Sequence, residues 1–431
     1  MLTTYRIELR RSPLLTAFPV LVALDLVVLF GRSRYWIGVW PEASAAAQVV
    51  TLFLGPALAG VSAWQAGRSS RAGMSESLLA SARPTWRVEA TRLCATLTLG
   101  FLAYLVGCAT AAAVSYGEAG PGFLWPSYLL LGASSLIVFA AVGHLAGRCW
   151  PSAGFTPVTC ALGCFVAMLT LPFDFVVLSG PPDRHLQPGP VLVRLLFALA
   201  LATLAVTAPT RTPGGQRQTP RRRTPARLRA VAVGSALASV AAFLATATAG
   251  ELRAERPSSA VTPRCERARE DAPRVCVWPE HRKYLPELAR MAHRLDHVEP
   301  SWMKSPGTFG EFGLHRTRRG DPGFDIAEGH VRTAAIAMAD SVLTRSIGLC
   351  TPPRARTRAW QALDNIQLWL EYRSTGKDPD EADEGLHTEG VSRAEREAAK
   401  AVRSSPSEQR EWLATERAHV HPSWCEPDER F

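Results

Sequence analysis

The first 250 residues hold seven apolar stretches, at about 14–30, 44–66, 93–115, 127–147, 156–178, 191–208 and 230–250. Lipid offers the backbone no hydrogen-bond partners, so such stretches fold as helices of roughly 20 residues or not at all. The second (SAAAQVVTLFLGPALAGVSAW) and fourth (SYLLLGASSLIVFAAVGHLAG) carry no Asp, Glu, Lys or Arg. The first and sixth are the shortest. Pro56, Pro157 and Pro172 are compatible with spanning helices, because neighbouring helices satisfy the freed carbonyls. The expected fold class is therefore all-α: a polytopic helical membrane bundle of about seven spans over residues 1–250, then a mainly helical extracytoplasmic domain over 251–431.

Charge divides the chain at the same place. Residues 1–250 contain 20 Arg and no Lys against 8 acids, a net of +12, while residues 251–431 contain 28 Lys+Arg against 30 Asp+Glu, a net of −2. The excess of positive charge thus lies in loops between apolar segments, which argues against a single soluble globule and against a nucleic-acid surface. With a cytoplasmic amino terminus, 16 of those arginines fall on inner segments and 4 (Arg32, Arg34, Arg184, Arg194) on outer ones; the reverse orientation inverts the ratio. The expected topology is amino terminus inside and residues 251–431 outside, in the cell membrane. Basic residues before the first apolar run imitate a secretory signal, but Ala43-Ser44-Ala45 lies too far beyond it for a normal cleavage site, so a retained first helix is expected. Trp36, Trp40, Trp64, Trp86, Trp125 and Trp150 fall at or just past span ends, where an interfacial belt is expected.

The loop between the second and third spans, GRSSRAGMSESLLASARPTWRVEATRL (67–93), reads as a short amphipathic helix with Met74, Leu78 and Leu79 on one face, broken by Pro84. An ordinary inner loop obeying the positive-inside rule is the plainer reading. Its residues Arg68, Arg71, Gly73, Glu76, Leu78, Leu79, Ala80, Arg83, Pro84, Trp86 and Arg87 match a pattern of charged residues, Gly, a Glu-Leu-Leu-Ala-like core, and Pro with an aromatic leading into the third span. On that pattern the region 1–210 resembles the permease subunit of type-2 ABC exporters. Such permeases also tend to open with a short amphipathic segment at the inner surface, for which Tyr5, Ile7 and Leu9 with Arg6, Arg10 and Arg11 are suited. The resemblance implies that Arg71, Gly73, Glu76, Leu78, Leu79, Arg83, Trp86 and Arg87 form a loop that docks on a separate ATPase subunit and passes its closure to the spans. The family usually has six spans and no large exterior domain, so the seventh span and the tail are additions. No GxxxxGK[ST] occurs in the chain, so any ATP hydrolysis belongs to another polypeptide. The expected partners are the bilayer, that ATPase and, as one arrangement, a second copy of the chain; nucleic acid is not among them.

Three ionisable groups fall at membrane depth: Asp25, His144 and Asp174. Either they line a pathway, with Asp174 facing Arg194, or they snorkel or bond a neighbouring helix. His144 sits between Gly143 and Gly147, a small-residue face that favours helix packing over proton relay. Cys94, Cys108, Cys149, Cys160 and Cys164 read as small apolar residues; Cys160 and Cys164 share a helix face, but a buried metal needs further ligands.

Beyond the last span come four cysteines, Cys265, Cys276, Cys350 and Cys425, an even number that suggests disulfides over a zinc site, since no C-x-x-C occurs. Cys265 with Cys276 is the most local pairing and leaves Cys350 with Cys425; the other connectivities remain open. Helices are expected over 282–297, 329–347 and 358–373. Two capping boxes, Ser392 with Glu395 and Ser405 with Glu408, start two more. Only VCVW (275–278) reads as a strand, and GKDPDEADEG (376–385) as a solvated acidic loop with a weak resemblance to a calcium loop. No HExxH or G-x-S-x-G occurs, and the pair His293 and His297 lacks a third ligand. No catalytic residue, cofactor or metal is expected. The alternative to a permease-like subunit is a membrane-anchored sensor whose exterior helical domain binds the ligand.

Overall fold

The computed structural model describes residues 2–31, 34–73, 85–170, 175–208, 226–248, 251–298, 301–314, 323–352, 356–376 and 393–426. It is mostly helical and separates into two compact units: Met1–Gly180 with Arg184–Ala254, and Pro181–Asp183 with Glu255–Phe431. The boundary lies a few residues past the shift in composition.

In the first unit, α1 (Leu2–Arg10) leads into α2 (Pro13–Gly31), followed by α3 (Trp40–Val49), α4 (Thr51–Ala66) and the single turn α5 (Arg68–Arg71). Then come α6 (Thr85–Tyr116), α7 (Pro126–Cys149), α8 (Phe155–Thr170), α9 (Pro188–Thr207) and α10 (Ala226–Thr248). Among the described residues, five helices are long and apolar enough to cross a membrane: Pro13–Gly31, Trp40–Ala66, Thr85–Tyr116, Pro126–Cys149 and Pro188–Thr207. Phe155–Thr170 and Ala230–Ala245 are shorter apolar helices. Their lateral packing rests on small residues. A Cβ on Gly143 or Gly147 of α7 would overlap the carbonyls of Ala59 and Ala63 on α4, so the glycines set how closely those two helices approach.

The fifth expected span, 156–178, is helical over Phe155–Thr170, and residues 175–180 leave the helical path. Their backbone is satisfied by side chains of other helices. Gln48 Nε2 and Ser135 Oγ both donate to the Phe175 carbonyl (2.8 and 3.0 Å), and Val177 N–H donates to Gln48 Oε1 at 2.9 Å. The Gly180 N–H and Ser179 hydroxyl donate to Glu42 (3.0 and 3.1 Å). Non-helical backbone is tolerated within a bundle when protein groups replace its helical bonds, and three buried side chains do so here. The tryptophan belt also needs correction. Trp36 and Trp40 are buried, with their indole N–H groups donating to Leu29 O (3.2 Å) and Gly120 O (2.8 Å), whereas Trp150 is exposed.

The second unit packs α11 (Leu285–Asp296), α12 (Val331–Ile347), α13 (Thr357–Thr375), α14 (Arg393–Arg403) and α15 (Pro406–Ala418) around one apolar core. That core includes Leu288, Met338, Ile366, Trp369, Ala398 and Leu413. Helix α15 begins with the expected capping box: Glu408 N–H donates to Ser405 Oγ, and Ser405 N–H donates to Glu408 Oε2. Ser392 lies outside the described residues. Among the described residues, five strands flank the helices, not one: β3 (Arg264–Glu266), β4 (Arg274–Val277) and β5 (Thr308–Gly310) form a sheet in that order, and β6 (Leu349–Cys350) pairs with β7 (Cys425–Glu426). β1 (Arg184–Leu186) and β2 (Arg253–Glu255) form a further ladder. Apart from β4, each has two or three residues, too few for an alternating pattern to register. Disulfides join Cys265 to Cys276 and Cys350 to Cys425, each across directly paired positions of antiparallel strands.

Candidate functional site at the ends of the first long loop

The loop after α4 is flanked by charged side chains that turn inward. Glu89 and Arg92 sit one turn apart on α6, and both are buried. Arg92 NH1 lies 3.2 Å from Glu89 Oε1 and donates to Ser69 Oγ on α5 at 3.2 Å; its Nε is 3.7 Å from Glu8 Oε1 on α1. The other Glu89 oxygen faces His144 Nε2 of α7 at 3.1 Å, an ion-pair distance. One turn on, the buried Arg148 donates to the carbonyls of Ala205, Val206 and Ala208, the C-terminal end of α9. Polar neighbours extend the cluster: Thr96 Oγ1 donates to Gln65 Oε1 (2.9 Å), and Gln65 Nε2 donates to Ser12 Oγ (2.6 Å). Two acids, two arginines and a histidine from α1, α6 and α7 therefore share one network, with Glu89, Arg92, His144 and Arg148 buried and Glu8 half-buried at its edge. Buried ions persist only when partners replace their hydration, and a network of alternating sign supplies that replacement.

The loop residues singled out from sequence divide into three groups. Arg71 donates from NH1 to Ser152 O (3.1 Å) and from NH2 to Trp64 O (2.6 Å), and it stacks over the Trp64 ring at 5.3 Å. Burial and the neighbouring Arg68 pull its pKa below the ordinary guanidinium value. Gly73 has φ +65°, a left-handed conformation that glycine adopts without strain, and so turns the chain out of α5. The Arg87 guanidinium lies 5.5 Å from the centroid of the neighbouring Trp86 ring. Glu76, Leu78, Leu79 and Arg83 lie outside the described residues.

Among the intramembrane groups, Asp25 is buried on α2 against the bare Cα of Gly107, beside Tyr104 and Cys108 of α6. His144 belongs to the Glu89 network as well as to the glycine face of α7. Asp174 lies outside the described residues, while Arg194 is buried, donates to Pro190 O at 3.1 Å and stacks over Phe175. Sequence reasoning counted Arg92 and Arg148 only as markers of sidedness and gave Glu89 no role. The available signal was helical register: Glu-x-x-Arg at the start of one span and His-x-x-x-Arg at the end of another each place two ionisable groups on a single helix face.

In the second unit, His281 Nδ1 sits 2.6 Å from Glu311 Oε1, both buried, and the other carboxylate oxygen accepts the Trp278 N–H at 2.9 Å. His293 and His297 stack at 4.3 Å between ring centroids. Among the described residues, no three His, Cys, Asp or Glu side chains converge as metal ligands. Cys94, Cys108, Cys149, Cys160 and Cys164 are free thiols.

A family model described as a domain of unknown function, DUF7224, matches residues 275–422, which lie within the second unit. No curated protein matches the chain. No solved structure matches it either.

Proposed function

We propose that this chain is a permease-like membrane subunit of an ABC-type export or immunity system, coupled through the loop 67–93 to a separate ATPase. The observation that carries this reading is the buried ion-pair cluster. It ties Ser69, just before the loop, and Glu89 with Arg92, just after it, to Glu8 on α1 and His144 on α7. A displacement of the loop by a partner cannot be absorbed at its base, because both ends are bonded into helices of the bundle. In this reading the bundle has seven spans, with Phe155–Thr170 and Ala226–Thr248 crossing alongside the five longer helices. The amino terminus lies inside, and residues 251–431 lie in the oxidising space outside, where their two disulfides persist.

The test is purification of the tagged full chain from its native membranes, with assay of the complex for ATP hydrolysis. An ATPase is expected with the unaltered chain. Leu78→Ala with Leu79→Ala, or Glu76→Ala, is expected to release it, and Glu89→Gln to retain it while uncoupling its turnover from the spans. Loop variants that hold the ATPase normally would sink the docking surface. Protease on whole cells should remove 251–431 and spare the Arg221–Arg223 segment; the opposite pattern inverts the map.

A second reading, a membrane-anchored sensor with the exterior domain as the binding part, is favoured by the confinement of the family match to residues 275–422. It predicts that residues 251–431, exported alone and oxidised, compete with the full chain for its ligand, which the permease reading does not.

A further inference from the structure

Helix α2 buries a single stripe. Of its residues only Leu14, Leu21, Asp25 and Leu29 are buried, and their spacing places them on one helix face. Val20 and Val27, on other faces, are exposed. Asp25 thus fills a seam position that the pattern otherwise gives to leucine. It neither snorkels nor bonds a neighbouring helix: the residue is 1 % exposed, and among the described residues neither carboxyl oxygen has a hydrogen-bond partner. The carboxyl lies against the bare Cα of Gly107 on α6, so closely that a Cβ there would overlap both oxygens. Gly107 is interior to α6, and its N–H is taken by the helical bond one turn back.

No counter-charge is in reach among the described residues. Of the helices packed on α2, α4 carries no ionisable side chain, and Glu42, the one ionisable group of α3, is engaged by Ser179 and Gly180. On α6 the ionisable groups of the seam are the Tyr104 phenol and the Cys108 thiol, which supply no positive charge. The nearest cation of that helix, Arg92, stands about 22 Å back along its axis at the helical rise. A carboxylate without water, donor or cation is among the least tolerable groups in an apolar interior, whereas a carboxylic acid is neutral. We propose that Asp25 is a proton-binding site, and that release of its proton separates α2 from α6. A proton is also the one ligand that needs no room beside oxygens packed against α6. Release breaks the carboxyl O–H bond, passes the proton to water and leaves one negative charge. The closed seam cannot solvate that charge, so α2 shifts until water reaches it. Of the five long helices α2 buries the smallest share of itself, so it is the one least held in place. The first long helix therefore has two positions tied to one proton. The proposal stands independently of the ATPase-coupling reading.

The test is infrared spectroscopy of the full chain in phospholipid vesicles as pH is raised stepwise. At neutral pH surface carboxyls are ionised, so the carbonyl band of a carboxylic acid reports buried acids alone. The expected result is such a band at neutral pH, lost from the unaltered chain as pH rises and missing from Asp25→Asn. Cys108, buried in the same cluster as Leu21 and Leu29, reports the seam through alkylation measured by mass spectrometry. Its rate in the unaltered chain, divided by its rate in Asp25→Asn at the same pH, cancels the thiol's own titration. That ratio should stay near one at neutral pH and rise several-fold where the band disappears. Asp25→Leu, which completes the leucine stripe, should give the same flat reference and guards against a folding defect. A missing band at neutral pH, a band that survives in Asp25→Asn, or a ratio that stays flat while the band titrates would overturn the site.

Discussion

In the first unit, the interior holds Asp25, Glu42, Glu89, Arg92, His144, Arg148 and Arg194, while Val20, Leu105, Leu162, Leu196 and Leu237 point outward. In the second unit the arrangement is reversed. Val275, Leu288, Trp369, Leu370 and Leu413 are interior, and among the described residues only Phe312, Ile336 and Trp360 are large apolar side chains left exposed. The buried acids of that unit are the exception, and they are paired: Glu311 meets His281, and Glu416 meets Arg358 at 3.1 Å. One chain thus solves the burial problem in two media. Where water surrounds the fold, removal of apolar surface holds it together. Where hydrocarbon does, apolar surface gains little from burial, and close glycine contacts with internal polar bonds take over. The two units should therefore respond to different insults, and each substitution below should move one unfolding transition of the full chain and leave the other in place.

The largest expected effect belongs to the second unit. Removing the Cys350–Cys425 bridge, which spans 75 residues, by Cys350→Ser/Cys425→Ser should cost roughly 4–5 kcal/mol in the chain-entropy view, and removing Cys265–Cys276, which spans 11, about 3 kcal/mol. Thermal unfolding should show that order and no shift in the membrane unit. Next is Glu89→Ala, which leaves Arg92 buried without its close carboxylate; breaking a buried pair costs about 3–5 kcal/mol. A denaturing-detergent titration should shift the membrane unit alone, and an equal shift of both units would break the comparison. Gly147→Ala, which drives a methyl group into the Ala63 carbonyl, should cost about 1–3 kcal/mol of the same transition.

The smallest effect concerns pH. Burial raises the carboxyl pKa of Asp340 on α12 and of Asp364 on α13 above the ordinary value of 3.8. In the window above that value the folded form holds protons that the unfolded chain has lost, so stability falls as pH rises through it. Asp340→Asn, which removes the titrating carboxyl, should flatten that slope in pH-dependent melts. A melt that steepens instead would reverse the assigned sign.

Features that depend on local pattern were readable in the chain. Hydropathy marks the spans, three- and four-residue spacing marks α11, α12 and α13, and Ser405 with Glu408 marks the start of α15. What could not be read depends on residues distant in sequence. Arg92 looks like a loop charge until α1 and α5 bring Glu8 and Ser69 against it. Trp36 and Trp40 resemble interfacial anchors until carbonyls seven and eighty residues away accept their N–H groups. The departure of residues 175–180 from the helical path is hidden in an apolar run, because Gln48, Ser135 and Glu42, which satisfy their backbone, come from other helices.

The bridge between Cys350 and Cys425 closes residues 350–425 into a covalent ring that contains α13, α14 and α15. A single cut of the backbone anywhere in that ring leaves both pieces attached to the chain. Tension applied at the carboxyl terminus passes through sulfur to the residue just beyond α12, so the three helices inside the ring carry none of the load.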